Sequence, residues 1–278
     1  MFQALKQIFA RGGDTERASL PPGQRVYAVG DIHGRCDLFE ALTEAIDADD
    51  AAAKPANTTV ILLGDLVDRG ADSAGVIALA RQWQTHRCVR ILAGNHEEMF
   101  LRSFDELEIF RHFLRHGGRE TALSFGIDPA AFLAADLEEA QQMLRDHVPA
   151  ADIAFLEGFE DMITVGDYLF VHAGIDPRVP LEEQRRQDLR WIREPFLSHP
   201  DSHGLVVVHG HTISDEPEDC GNRIGIDTGA FMTGRLTALV LEGTGRRYIE
   251  AVDEDGRAGV RYSPPRSSPH IAAAFSKA

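Results

Sequence analysis

The sequence predicts an α/β domain, and three observations support this prediction. Short β-rich apolar runs alternate with helical stretches along most of the chain, which is the pattern of an α/β fold. Several of these runs end in a tight cluster of Gly, Asp, Asn or His. The chain has 278 residues, of which 44% are hydrophobic. This length and composition allow one large domain or two small ones around a sizeable core.

Five apolar runs are predicted to be strands that end in such clusters: 25–29, 59–63, 89–93, 168–171 and 205–208. Helices are predicted between the first three strands, at 38–48 and 73–85. In sheets built from such units, ligands bind beyond the carboxyl ends of the strands. The five clusters are therefore predicted to form one site.

The clusters carry metal-ligand side chains in the segments GDIHG (30–34), GDLVDRG (64–70), GNHE (94–97), HAG (172–174) and HGHT (209–212). Oxygen and imidazole ligands without thiolate suit Mn, Fe or Zn. The predicted ligands are Asp31, His33, Asp65, Asn95, His172 and His211. In one arrangement Asp65 bridges two divalent ions, with Asp31 and His33 at the first, and Asn95, His172 and His211 at the second. Two such ions can hold a water as hydroxide and assist hydrolysis of a phosphate ester.

The remaining segments complete the predicted layout. Residues 98–161 are predicted to form a helical insertion near the active face. Residues 223–227, 236–242 and 248–252 are predicted to form an antiparallel meander that completes a second sheet. The catalytic domain is predicted at 25–253. Before it lies an N-terminal extension, 1–24, with Phe2, Leu5 and Ile8 or Phe9 at helical spacing. Residues 254–278 are predicted to be a disordered tail.

Charge and cysteine content limit the partners and the compartment. With 28 Lys+Arg against 44 Asp+Glu, the net charge of −16 argues against nucleic acid or an anionic membrane surface as the main partner. A small anionic substrate held by a few arginines remains compatible with it. The cysteines Cys36, Cys88 and Cys220 have no CxxC spacing, and the chain has no secretory signal or membrane-spanning run. We therefore expect a reduced, cytoplasmic protein of undetermined oligomeric state.

Taken in order, GDIHG, GDLVDRG, GNHE, HAG and GHT resemble the motifs of PPP-type serine/threonine protein phosphatases of the calcineurin-like metallophosphoesterase superfamily, especially its bacterial and bacteriophage branch. The resemblance extends from about Val26 to Leu241. It implies a sandwich of two mixed β-sheets flanked by helices (α/β/β/α). It also implies two divalent metal ions, with Mn²⁺ favoured and Fe or Zn as alternatives.

The resemblance also implies roles for individual residues. The six predicted ligands match the metal ligands of the family, and the match places the last of them at His211 of GHT rather than at His209. His96 corresponds to the general acid for the leaving group, and Asp68 to its carboxylate partner, which is expected to favour the imidazolium. Arg69 and Arg193 correspond to the arginines that hold phosphoryl oxygens, a task for which the planar guanidinium is suited.

The sequence thus predicts a metal-dependent phosphomonoesterase, in first place a protein serine/threonine phosphatase that acts by direct attack of a metal-bound hydroxide on phosphorus. Its substrate would be a phosphoprotein or a small phosphoester. A related group, hydrolases of dinucleoside tetraphosphates, shares GDxHG and GNH but carries Ala-Arg-Gly at the position of Asp68-Arg69-Gly70, so Asp68 favours the protein phosphatase. A catalytically silent phosphate-binding module is the remaining alternative.

Overall fold

Two mixed β-sheets pack face to face, with helices outside them, in the computed structural model of the chain, which describes residues 18–264. The strands are β1 (Gln24–Val29), β2 (Asn57–Leu62), β3 (Val89–Ile91), β4 (Met162–Val165), β5 (Tyr168–Val171), β6 (Val206–His209), β7 (Glu218–Asp219), β8 (Arg223–Gly225), β9 (Arg235–Glu242), β10 (Gly245–Glu254) and β11 (Arg257–Tyr262). This architecture confirms the predicted fold class.

The first sheet has the order β11-β10-β9-β1-β2-β3. Strands β1, β2 and β3 are parallel, as their helical connections require, whereas β9 pairs antiparallel with β1. The second sheet has the order β4-β5-β6-β8-β7, in which β5, β6 and β8 are parallel. The carboxyl ends of the parallel strands carry the clusters that the sequence analysis singled out.

The helices flank the two sheets, and most of them lie in the part of the chain between β3 and β4. They are α1 (Cys36–Ala52), α2 (Ser73–Gln84), α3 (Asn95–Ser103), α4 (Leu107–Phe113), α5 (Arg119–Ser124), α6 (Pro129–Ala134), α7 (Leu137–His147), α8 (Ala150–Glu157), α9 (Arg186–Trp191) and α10 (Ala230–Thr233). A kinked segment, Leu114–Gly118, in which His116 and Gly117 depart from helical geometry, joins α4 to α5, and a 3₁₀ turn lies at Leu181–Glu183. Among residues 18–264, no helix has the length and hydrophobicity that crossing a membrane requires.

Successive side chains along a strand point to opposite faces of the sheet, and this divides the core into layers. In β1, Val26 and Ala28 face the second sheet, whereas Tyr27 and Val29 face the helices. A smaller cluster on the outer face of the second sheet includes Phe196. Both faces of the central strands are therefore buried, which explains why they appear in the sequence as continuous apolar runs.

The prediction that 223–227, 236–242 and 248–252 form one antiparallel meander in the second sheet was wrong. Strand β8 pairs parallel with β6 in the second sheet, whereas β9 and β10 extend the first sheet beside β1. Residues 257–262, which were predicted to belong to a disordered tail, instead form β11, which pairs with β10 along its whole length. The predicted amphipathic stretch at Phe2 to Phe9 and residues 265–278 lie outside the described residues.

Candidate active site

The predicted site residues meet where the carboxyl ends of strands from both sheets converge. Asp31 and His33 follow β1, Asp65 follows β2, and Asn95 begins α3 just after β3. His172 and His211 come from the second sheet, after β5 and β6. All six predicted ligands are buried. The two sheets are joined here by the backbone N–H of His211, which donates to both carboxylate oxygens of Asp31 at 3.2 and 3.0 Å.

The backbone is strained at this site. Among residues 18–264, left-handed φ values at non-glycine positions occur at His33 (47°), Asp65 (51°), Asp68 (74°), Arg69 (71°), His211 (62°) and Asp255 (54°). Five of these six belong to the predicted site, although such angles are unfavourable for residues with a Cβ atom. Strain of this kind persists where the surrounding structure enforces it, and it clusters at functional sites.

Glu97 is the residue that organises the loop after β2. Its fully buried carboxylate accepts hydrogen bonds from the backbone N–H groups of Gly94 and Asp65 at 2.9 and 2.8 Å. It also accepts from Leu66 and Val67 at 2.7 and 3.3 Å. One side chain thus joins the loops that carry Asp65 and Asn95.

Acceptor atoms converge around Asn95, where Nδ1 of His211 lies 2.8 Å from Oδ1 and is the nitrogen that can donate to it. Nδ1 of His172 lies 2.8 Å from the carbonyl oxygen of Leu63 and must therefore donate to it. This leaves a lone pair on Nε2, which lies 3.0 Å from Oδ1 of Asn95. Nε2 of His211 is buried and has no hydrogen-bond partner. Converging lone pairs of this kind fit a bound cation, so the residues present fit a metal ion.

Within residues 18–264, two side-chain clusters could hold a metal ion, and Asp65 belongs to both. One contains His33, Asp65 and His96, and the other contains Asp65, His172 and His211. Oδ2 of Asp65 lies 3.5 Å from Nε2 of His33, and Oδ1 lies 3.5 Å from Nε2 of His172. The carboxylate therefore directs one oxygen into each cluster, which is the geometry that a bridging ligand needs. The individual ligand assignments stay predictions.

Asp31 lies outside these two clusters and faces a second carboxylate, Asp227, which the sequence analysis missed. Both side chains are buried, and their negative charges interact. Burial and the adjacent negative charge raise the pKa of Asp31, and burial raises that of Asp227 to about 6. A signal was present in the sequence, because GIDTG at 225–229 follows a strand in the same way as the other clusters.

His96 and Asp68 form the predicted pair, with Nδ1 2.6 Å from Oδ2. The contact between the two side chains is as predicted. Burial raises the pKa of Asp68 to about 8 and lowers the pKa of His96, because it disfavours charge on both groups. The protonation state of His96 during the reaction stays a prediction.

The two predicted arginines occupy different positions. Arg69 lies inside the site, with Nη1 2.7 Å from Nε2 of His33 and Nη2 3.0 Å from Nε2 of His96. Its backbone N–H donates to the carbonyl of Gly117, in the kinked segment Leu114–Gly118, at 3.0 Å. Arg193 is exposed at the rim, with Nη2 3.5 Å from the carbonyl oxygen of His211.

His209 faces away from both clusters. Its Nδ1 lies 3.0 Å from the carbonyl oxygen of Gly210, and its ring packs edge-on against Phe196 at 5.1 Å between centroids. The geometry therefore supports the preference for His211 over His209 as the candidate ligand.

Comparison with known proteins agrees with this architecture. The calcineurin-like phosphoesterase family matches residues 24–229. A relative from Anoxybacillus flavithermus, named bis(5'-nucleosyl)-tetraphosphatase PrpE (asymmetrical), is 25% identical over 234 residues, 76% of this chain and 88% of its own. A relative from Acidovorax sp., named bis(5'-nucleosyl)-tetraphosphatase, symmetrical, is 36% identical over 188 residues, 63% of this chain but only 57% of its own. The solved cold-active protein-tyrosine phosphatase of a psychrophilic Shewanella covers 90% of this chain and 87% of its own, with a TM-score of 0.52 and 17% identity.

These relatives bear on the choice among activities. They favour the dinucleoside tetraphosphate alternative over the protein serine/threonine phosphatase that the sequence analysis placed first. The preference for the protein phosphatase rested on Asp68. In the structure Asp68 contacts Nδ1 of the His96 ring. The match over residues 24–229 spans most of the sequence, and the chain belongs to the calcineurin-like phosphoesterase family.

Proposed function

We propose that the protein is a metal-dependent hydrolase of dinucleoside polyphosphates, adding water across one phosphoanhydride bond. The observation that carries the proposal is the match to relatives named bis(5'-nucleosyl)-tetraphosphatases, one of which is covered over 88% of its length. The candidate site is compatible with this chemistry, because it combines metal-binding clusters, a proton-carrying pair and an arginine.

The residues that would hold two divalent ions are the six predicted ligands, with Asp65 shared between them. The chemistry that such ions supply when bound is a water of lowered pKa and neutralisation of phosphoryl charge. Asp227 adds a further carboxylate beside Asp31, so the site carries ample negative charge for two cations. Mn²⁺ is the proposed ion, with Fe or Zn as alternatives.

The other residues of the site would bind phosphate and move a proton. Arg69 places two guanidinium nitrogens inside the site, where they would bind phosphoryl oxygens, and Arg193 would do so from the rim. A bound phosphate brings negative charge close to His96, which favours its protonation at Nε2. His96 would then protonate the leaving oxygen while Asp68 holds Nδ1.

Phosphoserine and phosphothreonine in proteins are the second candidate substrates. The close contact between His96 and Asp68 favours them, because an alkoxide leaves only if it receives a proton, whereas a nucleotide leaves as a stable anion. The same pair therefore contributes more to monoester hydrolysis than to anhydride hydrolysis.

The test compares diadenosine tetraphosphate with a phosphoserine peptide, using the same preparation supplied with Mn²⁺. We expect kcat/KM to be higher for the dinucleotide. Higher kcat/KM for the peptide would establish the second candidate instead. Absence of metal-dependent turnover on both substrates, with metal binding retained, would indicate a silent phosphate-binding module. The variant D65N controls for contaminating phosphatase, because Asp65 belongs to both metal-binding clusters.

A further inference from the structure

An apolar ledge lies at the mouth of the candidate active site. It consists of Phe231 and Met232 on α10 together with Ile213, which follows the GHT segment. Met232 is 65% exposed and Ile213 is 37% exposed. Ile213 packs against Gly229 at the start of α10, because a Cβ atom there would lie 3.0 Å from its Cγ2 atom. Large exposed apolar side chains next to one another commonly mark a binding surface.

The ledge is held in place from several sides. Arg35 donates a hydrogen bond of 3.1 Å to the carbonyl of Ala230, at the beginning of α10. The hydroxyl of Thr233 donates to the carbonyl oxygens of Thr228 and Gly229 at 2.7 and 3.0 Å. These contacts fix the helical turn that carries Phe231 and Met232, so the apolar surface is preorganised for a ligand.

The ledge also adjoins the groups that would bind phosphate. The guanidinium carbon of Arg69 lies 4.6 Å from the centroid of the Phe231 ring, which is a cation–π contact. The same ring meets His33 edge-on at 5.3 Å between centroids. A phosphate held by Arg69 would therefore place whatever is attached to it within reach of the ledge.

We propose that the apolar ledge is a subsite for a nucleobase of the substrate. This inference rests on the proposed function and identifies which part of a dinucleoside polyphosphate the rim of the site recognises. A base has flat apolar faces that stack on aromatic side chains and pack against the methionine thioether. All three ledge side chains are uncharged, so they suit the base rather than the phosphates of the same molecule.

The experiment replaces the exposed members of the ledge and leaves the phosphate-binding residues intact. M232S and I213S are assayed for the KM of diadenosine tetraphosphate and for the Ki of inorganic tripolyphosphate, which has phosphates but no base. The matched control is L133S, because Leu133 is 75% exposed on α6, in the helical insertion. We expect each ledge variant to raise KM by about three- to tenfold, the partial loss of one apolar contact with the base, with kcat and the tripolyphosphate Ki unchanged.

Each other result contradicts the inference in a distinct way. An unchanged KM in both ledge variants would show that the base binds elsewhere. A parallel rise in the tripolyphosphate Ki would show that the substitutions disturb phosphate binding. A change in oligomeric state in sedimentation experiments, with KM unaffected, would assign the ledge to contact between two copies of the chain.

Failure of the proposed function can be recognised separately. If the wild-type protein does not hydrolyse diadenosine tetraphosphate, the proposed function is wrong, and the ledge is then tested by binding alone. AMP and ribose 5-phosphate differ only in the base, so a functioning ledge gives AMP the lower Kd, and M232S removes the difference. Equal Kd values for the two ligands in the wild type would overturn the subsite.

Discussion

The hydroxyl of Thr121 donates a hydrogen bond of 2.6 Å to Oδ1 of Asp68, although the two residues are 53 positions apart. The other oxygen of that carboxylate lies 2.6 Å from Nδ1 of His96. Thr121 belongs to α5, so a helix between β3 and β4 sets the orientation of the Asp68 carboxylate. Thr121 is therefore a positioning residue for the candidate acid.

The variant T121V tests this positioning. Valine has nearly the same shape but no hydroxyl, so Oδ1 of Asp68 loses its donor and the carboxylate is free to rotate away from His96. We expect kcat to fall about tenfold with KM little changed, together with a loss of about 1–3 kcal/mol of stability. T121S retains the hydroxyl and should restore kcat. If T121S and T121V have the same kcat, the hydroxyl has no role in orienting Asp68.

His96 should matter most for substrates with a poor leaving group. For H96N we expect kcat on a phosphoserine peptide to fall by about 10²–10⁴, and less on diadenosine tetraphosphate, whose leaving nucleotide needs little protonation. Metal content, measured by elemental analysis, should stay the same. A drop in bound metal would instead show that His96 acts as a ligand in the cluster that it shares with His33 and Asp65.

Metal binding should stabilise the fold, and Asp65 should be required for it. Mn²⁺ at about 100 times its Kd adds about 2.7 kcal/mol to the free energy of unfolding of a protein that binds it only when folded. We expect this gain in the wild type, as a rise in Tm that chelator reverses, and not in D65N. E138Q, an exposed position on α7, should behave like the wild type. An equal Tm rise in D65N would remove Asp65 from the metal site.

Glu97 should stabilise the loop that carries Asp65. In E97Q an amide NH₂ replaces one acceptor oxygen and faces backbone N–H groups that now lack a partner. We expect a loss of about 1–3 kcal/mol in the free energy of unfolding, measured by urea denaturation. The neighbouring E98Q loses only partly exposed ion pairs with Arg102 and Arg190 and should cost less than about 1 kcal/mol. Equal costs would contradict the structural role of Glu97.

The cysteines should differ in reactivity with pH. Cys36 is half-buried, and burial together with nearby carboxylates raises its pKa to about 11. At about pH 8 only about a thousandth of this thiol is ionised, and its alkylation rate should rise about tenfold per pH unit up to that pKa. Cys88 and Cys220 are exposed and should react first. Rapid alkylation of all three thiols in the native protein would show that Cys36 is accessible and ionised.

Much of the site could be predicted from the sequence because its chemistry lies in short local clusters. Asp31, His33, Asp65, Asn95 and His96 follow parallel strands, and parallel strands bring their carboxyl ends to one edge whatever their separation in the chain. The first three strands, their connecting helices and the convergence of the clusters were therefore predictable. The predicted roles of these residues await the experiments above.

Only the tertiary structure decided which distant segments support that site. The apolar run of β9 shows that the strand is buried, but every strand offers the same backbone hydrogen bonds, so its pairing with β1 was not encoded locally. Thr121 lies in α5 and Phe231 in the short helix α10, and neither belongs to one of the five clusters that the sequence shows. Each acquires its role only because folding places it beside Asp68 or Arg69. The sequence by itself determined the chemistry of the site, whereas three-dimensional proximity determined which residues orient it and form its rim.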